Sequence, residues 1–148
     1  MHFSLHIPRN EAFDLQKEIS GALRNISSHG DTDVFPFPFE RSIFQEENDR
    51  CIEFVKEIHD HFEDRLADTP PLTIEMLSQV GYTGFRRATL IEPFWNAYYL
   101  ALVMSIAEQI EAHRISASER TVFSYRYLWN EERSSLFADS TWNDYRRE

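Results

Sequence analysis

The stretch Gly84–Arg126, GFRRATLIEPFWNAYYLALVMSIAEQIEAHRISASERTVFSYR, decides how the rest of the chain is read. Phe85 to Leu90 is a basic strand candidate that leads through Glu92 and Pro93 into the most apolar helix candidate, Glu92 to Arg114. Phe94, Trp95, Tyr98, Leu102, Ile106 and Ile110 recur at helical spacing on one face. Tyr99, Val103 and Met104 spread apolar surface around the axis, which is the pattern of a buried helix. Pro93 suits a first helical turn, and Arg114 complements the dipole at the far end. Clustered aromatics on such a helix read as core rather than as a cofactor site. A Ser-rich turn follows, and Val122 to Tyr127 is the second strand candidate. The chain is therefore expected to be a mostly helical α+β domain, built around this long buried helix, with a small antiparallel sheet made from the two strand candidates.

Upstream, Asn10 is placed to cap a helix running to about Ile26, with Phe13, Ile19, Ala22, Leu23 and Ile26 as its stripe. Ser27 to Glu40, SSHGDTDVFPFPFE, carries turn residues and then alternates Phe with Pro. Proline removes amide donors and fixes φ, so this reads as an extended strap with its rings packed on the body, in preference to a proline-rich peptide ligand. Phe44, Cys51, Val55, Ile58, Phe62 and Leu66 then fall on one face of an amphipathic helix. Glu46, Glu47, Asp49, Glu53, Glu57, Asp60, Glu63 and Asp64 form its solvated acidic face, and the pattern stops before Thr69-Pro70-Pro71. His59 and His61 point about 200° apart on a helix, which discounts a shared metal.

Leu72 to Val80 reads as a short helix with Thr73 as its cap. Gly81-Tyr82-Thr83-Gly84 is then a tight turn from helix to strand, and without a following Gly-Lys-Ser/Thr it is not a phosphate-binding loop. Beyond the second strand candidate, NEERSSLFADS (130–140) reads as a polar loop. Trp142 and Tyr145 in WNDYRRE begin a final pattern that looks cut off before its aromatic face is buried.

With 148 residues, 42% hydrophobic and 14% aromatic, the chain has the size and composition of one folded domain. The lone Cys51 excludes an internal disulfide and a cysteine-only metal site, and its place in a helical stripe reads as a small buried hydrophobe rather than a reactive thiol. The opening MHFSLHIPRNEAF lacks a signal-peptide pattern. The longest apolar run, Tyr98 to Ala107, is interrupted by Ser105 and falls short of the ~20 residues that span a bilayer. A cytoplasmic protein without a membrane partner is expected. The formal charge of −10 excludes a whole-chain nucleic-acid clamp. Its distribution is uneven: Glu40 to Asp68 holds ten acidic and four basic residues, whereas Gly81 to Leu128 holds four acidic and five basic.

No HExxH, GxSxG or CxxC pattern occurs, and no feature favours a small hydrolase. Three features carry possible chemistry. Arg86 and Arg87 follow a glycine turn, Tyr125-Arg126 places an aromatic and a guanidinium on opposite faces of a strand, and Arg114 and Arg120 bracket the intervening turn. Guanidinium groups suit phosphate through paired hydrogen bonds and aromatics stack on bases, although surface ion pairing explains the same residues.

FPFPFE with the helix after it, GFRRATLIEP, and the long helix ending IEAHRISASERTVFSYR together resemble the N-terminal region of bacterial reverse transcriptases. The likeness is to the defence-associated and abortive-infection types, related to group II intron and retron enzymes. In that group a fingers strand carries a basic residue in an arginine-proline-leucine-like pattern. An apolar helix and a serine-tyrosine-glycine-phenylalanine-arginine-like strand follow. The matching positions here are Arg86 and Arg87, then Ser124, Tyr125 and Arg126, with Ala88 where proline is usual and no glycine after Tyr125. The resemblance covers Phe35 to Glu148, which divides the single domain into an N-terminal helix and loop (1–34) and a fingers-like region (35–148). It implies that Arg86, Arg87, Tyr125 and Arg126 meet an RNA or DNA template and the phosphates of an incoming dNTP. The family's metal-binding aspartates belong to a palm domain, and Asp144 does not match their pattern. Phosphoryl transfer needs carboxylates that hold two metal ions close together. The implied function is thus the fingers portion of an RNA-directed DNA polymerase, not catalytic by itself, with Mg2+ expected only together with a palm in cis or on a partner. The competing reading is a non-catalytic helical interaction protein of a bacterial defence or toxin system, working through its acidic face.

Overall fold

In the computed structural model, which describes residues 15–30, 38–116, 119 and 125–138, the expected class holds: the protein is α+β and mostly α. Its elements are α1 (Gln16–His29), α2 (Pro38–Glu46), α3 (Asn48–Asp60), α4 (Phe62–Asp68), β1 (Thr73–Val80), β2 (Gly84–Ile91), α5 (Pro93–Ala112), β3 (Tyr127–Asn130) and β4 (Ser135–Phe137). The core lies where α1, α3 and α5 meet. Ile19, Ala22, Leu23 and Ile26 come from α1, Cys51, Val55 and Ile58 from α3, and Ala97, Tyr98, Ala101 and Met104 from α5, with Phe44 of α2 closing one end.

The long helix starts as expected, with Pro93 in the first turn and Glu92 at the cap, where the Glu92 side chain accepts a 3.4 Å hydrogen bond from the Phe94 amide. Its inner face combines Trp95 and Tyr98, two members of the expected stripe, with Ala97, Ala101, Met104 and Ala107, which were not in it. Small side chains let α1 come close: a Cβ on Gly21 would stand 2.8 Å from Met104 Cε. Tyr99, Val103 and Ile110 point away from the body. The helix is thus buried on one side and apolar on both.

Four local expectations are corrected. Leu72 to Val80 is not a helix; Thr73–Val80 is strand β1, paired antiparallel with β2 from Thr73 opposite Ile91 to Val80 opposite Gly84. Gly81, at φ 71°, turns the chain between the two strands, so the glycine turn closes a hairpin. The strand candidate Val122 to Tyr127 falls largely outside the described residues. The strand seen there is Tyr127–Asn130, and it pairs with β4 instead of with β2. The polar loop is the turn and return strand of that second hairpin: Asn130 Oδ1 accepts a 2.9 Å bond from the Arg133 amide, and Ser134 takes a positive φ of 50°. Among the described residues there are accordingly two separate two-stranded sheets.

The amphipathic pattern from Phe44 to Leu66 is three helices, interrupted at Glu47 and at His61, where ψ moves to 36° and 35°. Phe44, Cys51, Val55 and Ile58 are buried as expected, whereas Phe62 and Leu66 stay partly exposed at the end of the series. The first half of FPFPFE, read as a strap, lies outside the described residues. The last three positions of FPFPFE, Pro38, Phe39 and Glu40, open α2, and the Phe39 ring is 74% exposed rather than packed on the body. The Asn10 cap also lies outside them.

Leu23 is fully buried between α1 and its neighbours. Leu23→Ala should lower unfolding stability by about 2–5 kcal/mol, from lost transfer energy plus the cavity left behind, measured by urea denaturation. A loss below about 1 kcal/mol would mean that the α1 seam is not the core.

Candidate nucleic-acid interface

The sequence-derived residues fall into two groups. Arg86 and Arg87 lie on the distal half of the β1–β2 hairpin, opposite Ser78 and Leu77. Neighbours on a strand project to opposite faces, so the hairpin offers a guanidinium on each side, and both residues are exposed. Arg87 has Glu75 at 4.0 Å on its face. The hairpin packs substantially against no other element among the described residues. It joins the body at its base, where the Glu92 amide donates to the Leu72 carbonyl at 2.9 Å. At this junction burial pushes the Glu92 carboxyl above its ordinary value. That effect outweighs the hydrogen bonds from the Phe94 and Trp95 amides, and Glu40 pushes in the same direction.

Tyr125 and Arg126 sit at the other end of α5. Arg126 is not displayed to solvent: its side chain is 14% exposed, and Nη1 donates to Glu111 Oε1 at 2.6 Å while Nη2 donates to the Ile115 carbonyl. Glu111 is the centre of this node. Its second oxygen accepts from Arg114 Nη1 at 2.9 Å and from the Tyr127 amide at 3.2 Å, and Arg114 also donates to the Tyr125 carbonyl at 2.8 Å. Partial burial alone would raise the Glu111 carboxyl. The Tyr127 amide, the hydrogen bond and charge of Arg114, and the charge of Arg126 together bring it below the usual glutamate value. The node fastens the segment before β3 to the end of α5, and Tyr125 is what it holds outward, 58% exposed with its ring 5.2 Å from that of Phe137.

These two groups are not brought together within one chain. The hairpin springs from the first residue of α5 and the node from its last turn, and twenty helical residues span about 30 Å. Sequence reasoning missed Glu111, whose link to Arg126 crosses fifteen positions; its spacing of three from Arg114 was the only local signal.

Other features carry less. His59 Nδ1 is within 3.1 Å of the Tyr98 hydroxyl. Among the described residues no group of three or more His, Cys, Asp or Glu is placed to hold a metal ion. A cleft of about 200 Å³ between α1, α5 and β3, lined by Lys17, Glu18, Glu108 and Tyr127, is smaller than ordinary ligand pockets, which start near ~300 Å³. No helix among the described residues is long and apolar enough to cross a membrane. Compared with models of known protein families, with curated proteins and with solved structures, the chain has no significant match in any of the three.

Arg126→Ala should cost about 1–3 kcal/mol of stability, because it removes the hydrogen bonds to Glu111 Oε1 and to the Ile115 carbonyl. Glu111 titrates lower when folded, so its stabilisation is present above the ordinary glutamate pKa of 4.5 and is lost as pH falls through the depressed folded value. Urea midpoints followed from about pH 7 to about pH 3 should therefore fall more steeply in the wild type than in Glu111→Gln. Parallel curves would remove the node from the account of stability.

Proposed function

We propose that this chain is a fingers-like portion of an RNA-directed DNA polymerase, binding the template or the incoming nucleotide and not catalytic by itself. The observation that carries the reading is the β1–β2 hairpin, which stands clear of the helical body, displays Arg86 and Arg87, and runs directly into the cap of the long helix. Two guanidinium groups on a thin two-stranded arm suit a phosphate backbone, since each can donate paired hydrogen bonds to phosphate oxygens. Within this reading Tyr125 supplies an exposed ring for a base to stack on, and Arg126 acts through Glu111 as a positioning residue. The metal-dependent step belongs to a palm domain supplied in cis or by a partner.

A second reading has its own observation. Eight acidic side chains of α2–α4 and their junctions, Glu46 to Asp64, are exposed, and among the described residues Arg50, Lys56 and Arg65 engage three of them. Such a surface fits capture of a basic partner protein by a regulatory component of a defence or toxin system.

Fluorescence anisotropy with a labelled RNA template–DNA primer duplex bearing a single-stranded overhang separates the two. Arg86→Ala with Arg87→Ala should weaken binding about ten-fold and reduce the slope of log K against log salt by about 1.5, with the unfolding midpoint retained because both side chains are exposed. Charge reversal at Glu53 and Glu57 should leave this binding unchanged. Equal binding by the arginine variant and the wild type would overturn the polymerase reading.

A further inference from the structure

We infer that the tip of the β1–β2 hairpin stacks unpaired nucleobases, so that the arm takes a single strand of nucleic acid in preference to a duplex. The inference rests on the nucleic-acid reading proposed above and names the form of the ligand. Two rings stand at the free end of the arm. Tyr82, in the turn, is fully exposed, and Phe85, at the start of β2, is 69% exposed. A Cβ added to Gly81 beside them would meet nothing within 4 Å, so the turn has open space around it.

The register decides which side chains share a face. Residues opposite one another in an antiparallel ladder project to the same side, as do alternate residues along a strand. Phe85 is paired with Gln79 and Arg87 with Leu77, so these four form one face of the distal arm. Leu77 is exposed, and the Gln79 side chain donates to the Gly81 carbonyl at 3.1 Å, which holds its amide at the turn. Phe85 and Arg87 lie about 7 Å apart along the strand. At that separation one nucleotide can lay its base on the ring while an adjoining phosphate meets the guanidinium. Glu75 stands 4.0 Å from Arg87 with both side chains largely exposed, a contact that is weak in water and that a phosphate can replace.

Charge and shape together select the occupant. Met76 to Ile91 carries two arginines and no carboxylate, on a chain of formal −10. A polyanion is therefore drawn to this arm rather than to the acidic face of α2–α4. Rings alone would suit many apolar partners, and guanidinium groups alone would suit any phosphate. A ring and a guanidinium in succession on one strand face match bases and phosphates in succession along a nucleic acid. In a duplex the bases are already stacked on one another. In a single strand their faces are open to an aromatic side chain, whatever the base.

Fluorescence anisotropy with a labelled single-stranded RNA of about 15 nucleotides, and with the blunt RNA duplex of the same sequence, tests this. The wild type should bind the single strand about ten-fold more tightly than the duplex. Tyr82→Ala with Phe85→Ala should lose that margin, while the slope of log K against log salt stays that of the wild type because no charge is removed. Phe85→Leu, which keeps apolar bulk without a ring, should also weaken single-strand binding, and Phe85→Trp should retain it. Equal binding of strand and duplex by the wild type, or wild-type affinity in the double alanine variant, would overturn the inference. If Arg86→Ala with Arg87→Ala still loses affinity in either case, the stacking tip fails and the nucleic-acid reading stands. If it does not, that reading fails as well.

Discussion

Close approach of α1 and α5 is the contact on which the rest of the structure depends. It is possible because, beyond Trp95 and Tyr98, the inner face of α5 offers Ala101 and the flexible Met104, and α1 answers with Gly21 and Ala22. Around that seam the chain arranges Val55 and Ile58 of α3 on one side and Trp129 of β3 on another. The β3–β4 turn is then drawn onto α1 by polar contacts: Asn25 donates to the Ser134 carbonyl at 2.7 Å, His29 Nε2 meets the Arg133 carbonyl at 2.8 Å, and Arg24 pairs with Glu131 while lying over Trp129. Asn25 is buried, so its bond to Ser134 is costly to leave unmade. Apolar contact places the hairpin, and the polar contacts give it one orientation.

The two ends of α5 have opposite characters. At the start a hairpin stands out with little to support it; two-stranded hairpins are marginal in water, and this one is anchored by the continuous chain and the bond between Glu92 and Leu72. At the finish three charged side chains and three backbone groups close on one another around Glu111. Arginines that look alike in sequence thus have different uses. Arg126 and Arg114 hold the fold, while Arg87 faces water with one distant carboxylate beside it.

How much of this was legible depends on whether the deciding contact is local. Pro93, the apolar run after it and the strand before it are local signals, and both elements stand where those signals put them. Leu72 to Val80 is ambiguous by itself: Leu72, Met76 and Val80 recur every four residues, while Ile74 and Met76 alternate with Glu75 and Gln79. Pairing with β2 resolves the ambiguity, and that pairing is not written within the segment. The breaks at Glu47 and His61 have no glycine or proline to announce them. Arg126 was legible as a cation, but its commitment to Glu111 could be seen only once the chain had folded back across fifteen positions. For the candidate site, the residue types were readable and their availability was not.

The two-sided character of α5 ties these strands together. Composition alone suggested a helix buried on most sides, and α1, α3 and β3 cover only half of it. Apolar side chains left on the outside are a cost that a partner surface offsets. The same helix separates the hairpin arginines from Tyr125 by about 30 Å within one chain.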